Sequence, residues 1–276
     1  MKTILVPTDF SEAARNAAIY AAELAKNLEY KLILYHAYHV PVMASTPENA
    51  FIIAEPRELD ITNKKRIKKE GAFIAKKCDI NAECLTSEGF AEDEILALEK
   101  ELKPDLIIMG MKTIGALDEY ILGSIATDII RKAQTPVIIV PEKARYKKIS
   151  KIVFATEHRK EDGTIIRGVT KEIAQVFGSK IYVLNVVKEN KLAEVGKEFS
   201  QERLKQYFEE VEHTHHFLED NDLIHGLNEF IMVHKISMIV MTPHKHTLLS
   251  RIFKEPNTKK MAFHTSIPLL TLPAEI

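Results

Sequence analysis

The stretch from Asp105 to Pro141 constrains the fold of this chain more than any other part of the sequence. It begins with a short apolar run, Asp105–Met109, of the kind that a buried parallel strand shows, and this predicted strand ends at Gly110. A second β-branched run, Val137–Val140, follows Pro136. The residues between the two runs predict a glycine-containing loop and then a helix. The order is therefore strand, glycine loop, helix, strand.

The start of the predicted helix has the features of an anion-binding site. We predict a helix from Ile125 to about Ala133, with Ser124 as its N-cap and Gly123 before it. The first N–H groups of a helix have no partner inside the helix, and they lie at the positive end of its dipole. Gly123 leaves room for a phosphate to approach the backbone, and Gly115 adds flexibility to the loop.

The spacing in this stretch resembles a known nucleotide-binding loop. It reads Gly110-x2-Thr113-x9-Gly123-Ser124, which is similar to the pattern G-x2-G-x9-G-[ST] of the universal stress protein family. Thr113 stands where the family has its second glycine. The opening of the chain, ILVPTDFSEAA, resembles the family's first strand, which ends in such a Pro-x-Asp. The resemblance covers the whole chain as two copies.

The resemblance implies an adenine nucleotide site in the first half. ATP with Mg²⁺ is the expected ligand, and AMP and other adenine nucleotides are the alternatives. Asp9 is expected near the ribose or the metal, and Lys112 within the loop is expected to screen phosphate charge; for each of them, an ordinary exposed or helix-starting residue is the alternative interpretation. The complete set of expected binding residues is Pro7, Asp9, Ala37, Met109, Gly110, Lys112, Thr113, Gly115, Gly123, Ser124 and Ile125.

Strand and helix patterns alternate along the first half, which predicts an α/β fold with a parallel sheet and right-handed crossovers. Ligands of such sheets bind outside the carboxyl ends of the strands, where the strand order reverses. The family resemblance places that point between the first and fourth strands, so the Asp9 turn and the Gly110 loop are expected to face each other. The expected architecture is two tandem open five-stranded parallel sheets, Rossmann-like or adenine nucleotide alpha hydrolase-like, in domains 1–143 and 149–276.

The second half is a degraded copy of the first. The apolar runs Ser150–Thr156, Lys180–Val186, Met238–Met241 and Pro268–Leu272 repeat four of its strands. Its loop does not survive, because Thr242-Pro-His-Lys245 replaces the first glycines and Glu255-Pro256 replaces Gly-Ser. A carboxylate repels phosphate, and proline removes a donor N–H. We therefore expect a degenerate site here, with this half packed against the first as a pseudo-dimer through the fifth strands, Val137–Val140 and Leu269–Leu272.

Composition excludes several other classes of function. The chain has 276 residues and a formal net charge of −1, so no broad electrostatic attraction to nucleic acid or an anionic membrane is expected. Its two cysteines, Cys78 and Cys84, do not make a disulfide framework. No signal peptide and no apolar run of membrane-spanning length is evident, so we expect a cytoplasmic protein.

Histidines suggest a metal-binding alternative, but no metal site is expected. His213, His215 and His216 lie close together, and His244 and His246 lie in the loop of the second copy. In a strand the first two would share a face and the third would point away, so the histidines do not converge on one tetrahedral site. Metal analysis of the purified chain separates the two interpretations.

The expected function is that of a universal stress protein that binds ATP in its N-terminal domain and acts in stress response or signalling. We expect a nucleotide-dependent binding module rather than an enzyme, with at most slow ATP hydrolysis, because Asp9 is the one candidate for a positioned base. The alternative is a non-nucleotide scaffold or interaction protein in which both sites have decayed. The sequence leaves open whether the chain also forms a homodimer, and it does not identify a protein partner.

Overall fold

The structure, a computed structural model, describes residues 1–40, 56–114, 119–121, 123–156, 168–187, 210–219, 223–241 and 267–273. The elements of the first half are β1 (Thr3–Pro7), α1 (Glu12–Leu28), β2 (Lys31–Tyr38), α2 (Pro56–Cys78), β3 (Ala82–Glu88), α3 (Ala91–Leu102), β4 (Leu106–Ile114), β5 (Glu119–Ile121), α4 (Ser124–Lys132) and β6 (Val137–Pro141). Those of the second half are β7 (Lys151–Thr156), α5 (Val169–Phe177), β8 (Lys180–Val187), β9 (His213–Glu219), α6 (Leu223–His234), β10 (Met238–Met241) and β11 (Leu269–Thr271).

One sheet runs through both halves, in the order β3-β2-β1-β4-β6-β11-β10-β7-β8-β9, and β5 pairs with β4 outside this path. Apart from β4 with β5, which is antiparallel, the strand pairs within each half are parallel, and the pair that joins the halves, β6 with β11, is antiparallel. The α/β class with a mostly parallel open sheet is therefore confirmed. In the first half the chain moves from β1 outward to β3 and then returns to β4, so the strand order reverses between β1 and β4. A crevice at the carboxyl ends of these two strands is the expected result.

Apolar residues cover both faces of the sheet, which explains why the strands read as continuous apolar runs. Along β1, Ile4 and Val6 belong to the core beneath α1 and α2. Leu5, between them, belongs to the core beneath α3 and α4. All three side chains are fully buried. Successive residues of a strand point to opposite faces, so a strand buried on both faces has no polar positions in its centre.

Helix α1 packs closely on the sheet because its inner face consists of small residues. Ala17, Ala18, Ala21 and Ala22 are fully buried. Ser11 starts the helix, since its hydroxyl oxygen accepts a hydrogen bond from the backbone N–H of Ala14 at 3.2 Å. The close packing holds the start of α1 beside the end of β4, where the crevice opens.

An ion pair connects α1 to the neighbouring helix α2. The Arg15 guanidinium donates from Nε and Nη2 to the two carboxylate oxygens of Glu70, at 2.7 and 2.8 Å. Glu70 is 5% exposed, whereas Arg15 is half exposed. A bidentate pair of this kind fixes the orientation of the two helices relative to each other as well as the distance between them. The pair also raises the pKa of Arg15, chiefly through the hydrogen bond to Glu70.

The two halves meet where β6 and β11 run side by side. Leu269 lies opposite Ile139, and Leu270 lies opposite Ile138. The hydroxyl of Thr271 donates a hydrogen bond to the carbonyl oxygen of Val137 at 3.1 Å. These are the strands that the family resemblance implies for the contact. Backbone hydrogen bonds and fully buried side chains therefore join the two halves into one continuous sheet.

The region after Gly110 differs from its predicted form. The strand does not end at Gly110, because β4 continues to Ile114 and pairs with β5, with Lys112 opposite Ile121. The helix begins one residue earlier than predicted, and Gly123 rather than Ser124 is its N-cap. The end of the apolar run does not show where the strand ends, because a strand can continue through polar residues once a second strand pairs with it.

The repeated strands of the second half are present as β7, β8, β10 and β11, and β9 stands at the sheet edge as β3 does in the first half. The residues on which the degenerate site was predicted, Thr242–Lys245 and Glu255-Pro256, lie outside the described residues. The division into domains 1–143 and 149–276 stays a prediction.

Candidate functional site

A cavity of about 330 Å³ lies at the crevice where the strand order reverses. Small-molecule sites in proteins range from roughly 300 to 1,000 Å³. The strands β1, β2 and β4 and the helices α1, α3 and α4 all contribute to its wall. The lining residues are Pro7, Thr8, Asp9, Ser11, Ala13, Ala14, Tyr35, Ala37, Ala91, Ile95, Met109, Gly110, Lys112, Gly123, Ser124, Ile125 and Ala126.

The structure brings together all of the predicted site residues except two. Thr113 belongs to β4, opposite Tyr120, and its side chain lies outside the described part of the chain. Gly115 also lies outside the described residues. The other predicted residues come from two sequence regions about a hundred residues apart, and they meet around one cavity because β1 and β4 are neighbours in the sheet.

The turn that carries Asp9 is held by local hydrogen bonds. The backbone N–H of Ser11 donates to Oδ1 of Asp9 at 2.9 Å. Phe10 has a positive φ of 64°, and its N–H donates to the hydroxyl oxygen of Thr8 at 3.0 Å. A left-handed conformation is unusual for an aromatic residue, and it is strained. Packing compensates for this strain, because the Phe10 ring lies 4.4 Å from that of His36, centre to centre.

Asp9 keeps its negative charge at neutral pH. Partial burial raises its pKa, but hydrogen bonds from the hydroxyl and the backbone N–H of Ser11 and the positive charge of Lys112 lower it by more, so the pKa of Asp9 lies below its ordinary value. Mg²⁺ is commonly bound by one or two carboxylates together with the phosphates of a nucleotide. The backbone N–H of Ser11 donates to Oδ1 of Asp9, and Asp9 fits the part of a single carboxylate ligand.

Gly110 is required by the packing of the protein itself. A Cβ atom at this position would lie 2.4 Å from the carbonyl oxygen of Ala13 and 2.8 Å from the backbone nitrogen of Ala14. Backbone atoms cannot move aside as the end of a flexible side chain does, so no side chain is tolerated there. The glycine lets the first turn of α1 approach β4, and this contact shapes one wall of the cavity.

The described part of the chain gives no packing reason for a glycine at Gly123. A Cβ atom there would meet nothing within 4 Å, and its φ of −63° suits any residue. Gly123 is the N-cap of α4, and no side chain caps the first N–H groups of the helix among the described residues. These donors and the positive end of the helix dipole therefore remain available for an anion in the cavity.

The other end of the cavity is apolar. Its wall combines Tyr35 and Ala37 of β2 with Ala91 and Ile95 of α3, and Met109 of β4 adjoins them. Tyr35 is buried, its hydroxyl is hydrogen-bonded to that of Ser87, and burial raises its pKa. Its ring is therefore a fixed, neutral wall. An apolar slot next to a group of N–H donors suits a ligand with a flat ring at one end and an anion at the other.

The sequence patterns did not identify several of the lining residues. Tyr35 shares a face of β2 with Ala37, and Ile95 lies one helical turn after Ala91 on α3, so both pairs follow ordinary strand and helix periods. Such periods predict burial, and they do not separate a cavity wall from a packed core. Besides Tyr35 and Ile95, the lining residues that were not predicted are Thr8, Ser11, Ala13, Ala14, Ala91 and Ala126.

The histidines of β9 divide between the two faces of the strand. His213 and His215 are neighbours, with ring centres 5.4 Å apart. His216 instead packs against Tyr182 and His234. Within the described ranges, no three His, Cys, Asp or Glu side chains are grouped so that they could hold a metal ion. His244 and His246 lie outside those ranges.

A search of the described helices for membrane spans gave no candidate, because none combines sufficient length with sufficient apolar character.

Several known proteins similar to this chain are universal stress proteins. The family model described as "Universal stress protein family" matches residues 1–141. A universal stress protein of Thermus aquaticus is 32% identical over 139 residues, which are 50% of this chain and 98% of that protein. One of Methanocaldococcus jannaschii is 28% identical over 142 residues, which are 50% of this chain and 81% of that protein.

Similarity of structure extends over both halves. The crystal structure of a universal stress protein from Archaeoglobus fulgidus covers 98% of this chain and 97% of its own, with a TM-score of 0.74 and 15% sequence identity. At that identity the match shows the shared fold. The family model spans more than half of the chain, and it includes every residue that lines the cavity. The chain therefore belongs to the universal stress protein family.

Proposed function

We propose that this chain binds an adenine nucleotide, with ATP as the first choice, in the cavity between the Asp9 turn and the start of α4. The observation that carries the proposal is the free space at Gly123. No described residue packs against this position, and the N–H groups at the start of α4, which no described side chain caps, lie beside the space that the missing side chain leaves open. A phosphate group fits that combination.

The two ends of the cavity suggest how the nucleotide is oriented. The base enters the apolar slot between Tyr35 and Ile95, and the phosphates lie at the N-terminus of α4 near Lys112. Asp9 lies at the polar end, where it would hold the ribose or a nucleotide-bound Mg²⁺. The charge distribution supports the position of the phosphate, and membership of the family supports the choice of adenine. AMP and other adenine nucleotides are the alternatives to ATP.

The proposed role is that of a binding module in stress response or signalling rather than that of an enzyme. Of the described side chains that line the cavity, Asp9 is the one carboxylate, and its lowered pKa makes it a weak base at neutral pH. Bound Mg²⁺ would supply charge neutralisation to the phosphates. We therefore expect ATP turnover to be slow, and we expect the protein to act in the cytoplasm through a nucleotide-dependent surface.

Calorimetric titration of the nucleotide-stripped protein with Mg·ATP tests the proposal. We expect one saturable site per chain, and we expect Gly123→Glu to abolish it, because the new carboxylate would fill the free space and repel the phosphates. Gly168→Glu is the matched control: Gly168 is the N-cap of α5 in the second half, and a Cβ atom there also meets nothing within 4 Å. This variant should bind as the unmodified protein does.

Three results of the same titration would contradict the proposal or one of its parts. Absence of binding at millimolar ATP would favour the scaffold alternative, in which both halves serve protein partners. Two sites per chain would contradict the predicted decay of the second half. Equal loss of binding in the Gly123→Glu and Gly168→Glu variants would place the site elsewhere.

A further inference from the structure

Two charged side chains of opposite sign lie at the polar end of the cavity. Among the described lining residues, Asp9 and Lys112 are the charged ones. Lys112 belongs to the part of β4 beyond Gly110, where its pairing with Ile121 of β5 holds the backbone. The unexpected continuation of β4 is therefore what places this lysine in the wall of the cavity.

The ammonium group of Lys112 is available to an anion. Its side chain is exposed, and no described residue forms a salt bridge with it. Lys132, at the other end of α4, is different, because it pairs with Glu92 at 2.5 Å. An ammonium that forms no salt bridge with the described residues offers a ligand three donors and a full positive charge, and burial does not restrict its movement toward that ligand.

Asp9, the carboxylate that lines the cavity together with Lys112, is by itself a weak site for a metal ion. Mg²⁺ requires near-octahedral coordination and loses its water reluctantly, so one protein carboxylate adds little to the binding of a metal that the nucleotide already carries. Lys112 and the N-terminus of α4 both present positive charge to the same space. Asp9 is the one described carboxylate of the lining, so these two positive groups exceed the negative charge of the cavity wall, and the protein itself offsets part of the phosphate charge.

We propose that Lys112 acts as the counter-ion of the nucleotide's phosphates, so that this chain binds the free nucleotide about as well as its Mg²⁺ complex. The inference rests on the proposed function and specifies its ligand: the metal-free nucleotide suffices. Lysine is a compact point charge that needs no fixed geometry to reach a phosphate oxygen. A nucleoside without phosphate should bind weakly, because it engages neither Lys112 nor the N-terminus of α4.

The test compares ATP titrations in excess Mg²⁺ and in EDTA for four forms of the full chain. For the unmodified protein, the two Kd values should agree within about threefold. Lys112→Gln should weaken binding in EDTA by about tenfold or more, since a hydrogen bond to a charged group is lost. Excess Mg²⁺ should restore part of that loss, because the metal then neutralises the phosphates.

Two further variants separate charge from structure. Lys112→Arg keeps the positive charge and should retain binding in EDTA. Lys100→Gln removes an exposed lysine of α3 that does not line the cavity, and it should leave both Kd values unchanged. Lys112 is exposed, so the thermal unfolding of Lys112→Gln should match that of the unmodified protein.

Each contrary outcome identifies which claim fails. Binding by the unmodified protein in Mg²⁺ but not in EDTA would overturn the inference and leave the proposed function intact. The same holds if Lys112→Gln binds ATP in EDTA as tightly as the unmodified protein. Absence of binding in both conditions would overturn the proposed function, and the role of Lys112 with it.

Discussion

Two glycines of one loop motif are present for different physical reasons. Gly110 has no room for a side chain, because the backbone of Ala13 lies 2.4 Å from the place of a Cβ atom. Gly123 has open space around it and an ordinary φ. The motif alone does not distinguish these cases, since both positions are written as G. Of these two glycines, packing against the described residues explains Gly110, whereas Gly123 leaves space that a ligand can use.

Alanine substitutions should separate the two roles. We expect Gly110→Ala to destabilise the protein by about 2–4 kcal/mol, the size of a severe packing conflict. Gly123→Ala should cost only about 0.5–1 kcal/mol, because alanine is a poorer N-cap than glycine. Urea denaturation measures both values. Similar losses in the two variants would contradict the packing explanation for Gly110.

At the scale of elements, helices α1 and α2 are joined by one well-formed ion pair. Glu70 of α2 is nearly buried, and the two hydrogen bonds from Arg15 offset the cost of taking its carboxylate out of water. Removal of one partner from such a pair leaves an uncompensated charge, whereas replacement of both by apolar residues of similar size is much less costly. Arg15 also lies in the helix that begins at the Asp9 turn. The pair therefore stabilises the same helix that forms a wall of the cavity.

A double-mutant cycle tests the contribution of this ion pair. We expect Arg15→Met to lower the free energy of unfolding by about 1–3 kcal/mol, a range reduced from that of fully buried pairs because Arg15 is half exposed. The double variant Arg15→Met/Glu70→Met should recover most of that loss. Chemical denaturation of Arg15→Met, Glu70→Met, the double variant and the unmodified chain gives the coupling energy. Strictly additive losses would show that the two side chains act independently.

At the scale of the whole molecule, the sheet does not end where the first half ends. Strands β6 and β11 bury Ile138 and Leu270 at their junction, and both side chains are fully buried. The ion pair between Lys2 and Glu172 also joins the halves. A fully buried junction between two strands resembles the inside of a domain more than the contact between two movable domains. We therefore expect the chain to unfold as one cooperative unit.

A charge buried at the junction of β6 and β11 should make the two halves unfold separately. Leu270→Lys would bury an unpaired ammonium between the halves, at a cost of several kcal/mol. Scanning calorimetry should show a single transition for the unmodified chain and two transitions for this variant, the second half melting first. Leu270→Met is the control and should cost less than about 1.5 kcal/mol. Two transitions in the unmodified chain would contradict the cooperative unit.

Much of the fold followed from sequence patterns because each pattern has a local cause. Continuous apolar runs such as Ile4–Val6 mark strands that are buried on both faces, and Ser11 marks the start of α1 through its own hydroxyl. The continuation of β4 to Ile114 could not be predicted in this way, because its cause is the pairing of β4 with β5, a second strand. Tyr35 and Ile95 were missed for a similar reason: they look like core residues until the neighbouring elements leave a space between them.

The sequence by itself determined the α/β class, the repeated strands and the two motifs that meet at one cavity. These features depend on period, on capping and on the order of the elements, which are properties of neighbouring residues. The tertiary structure decided which glycine serves packing and which one leaves space, where Lys112 lies, and how the halves are joined. Such features depend on contacts between residues far apart in the chain. The backbone of Ala13 comes within 2.4 Å of the place of a Cβ atom at Gly110, and β6 pairs with β11, only when the chain has folded.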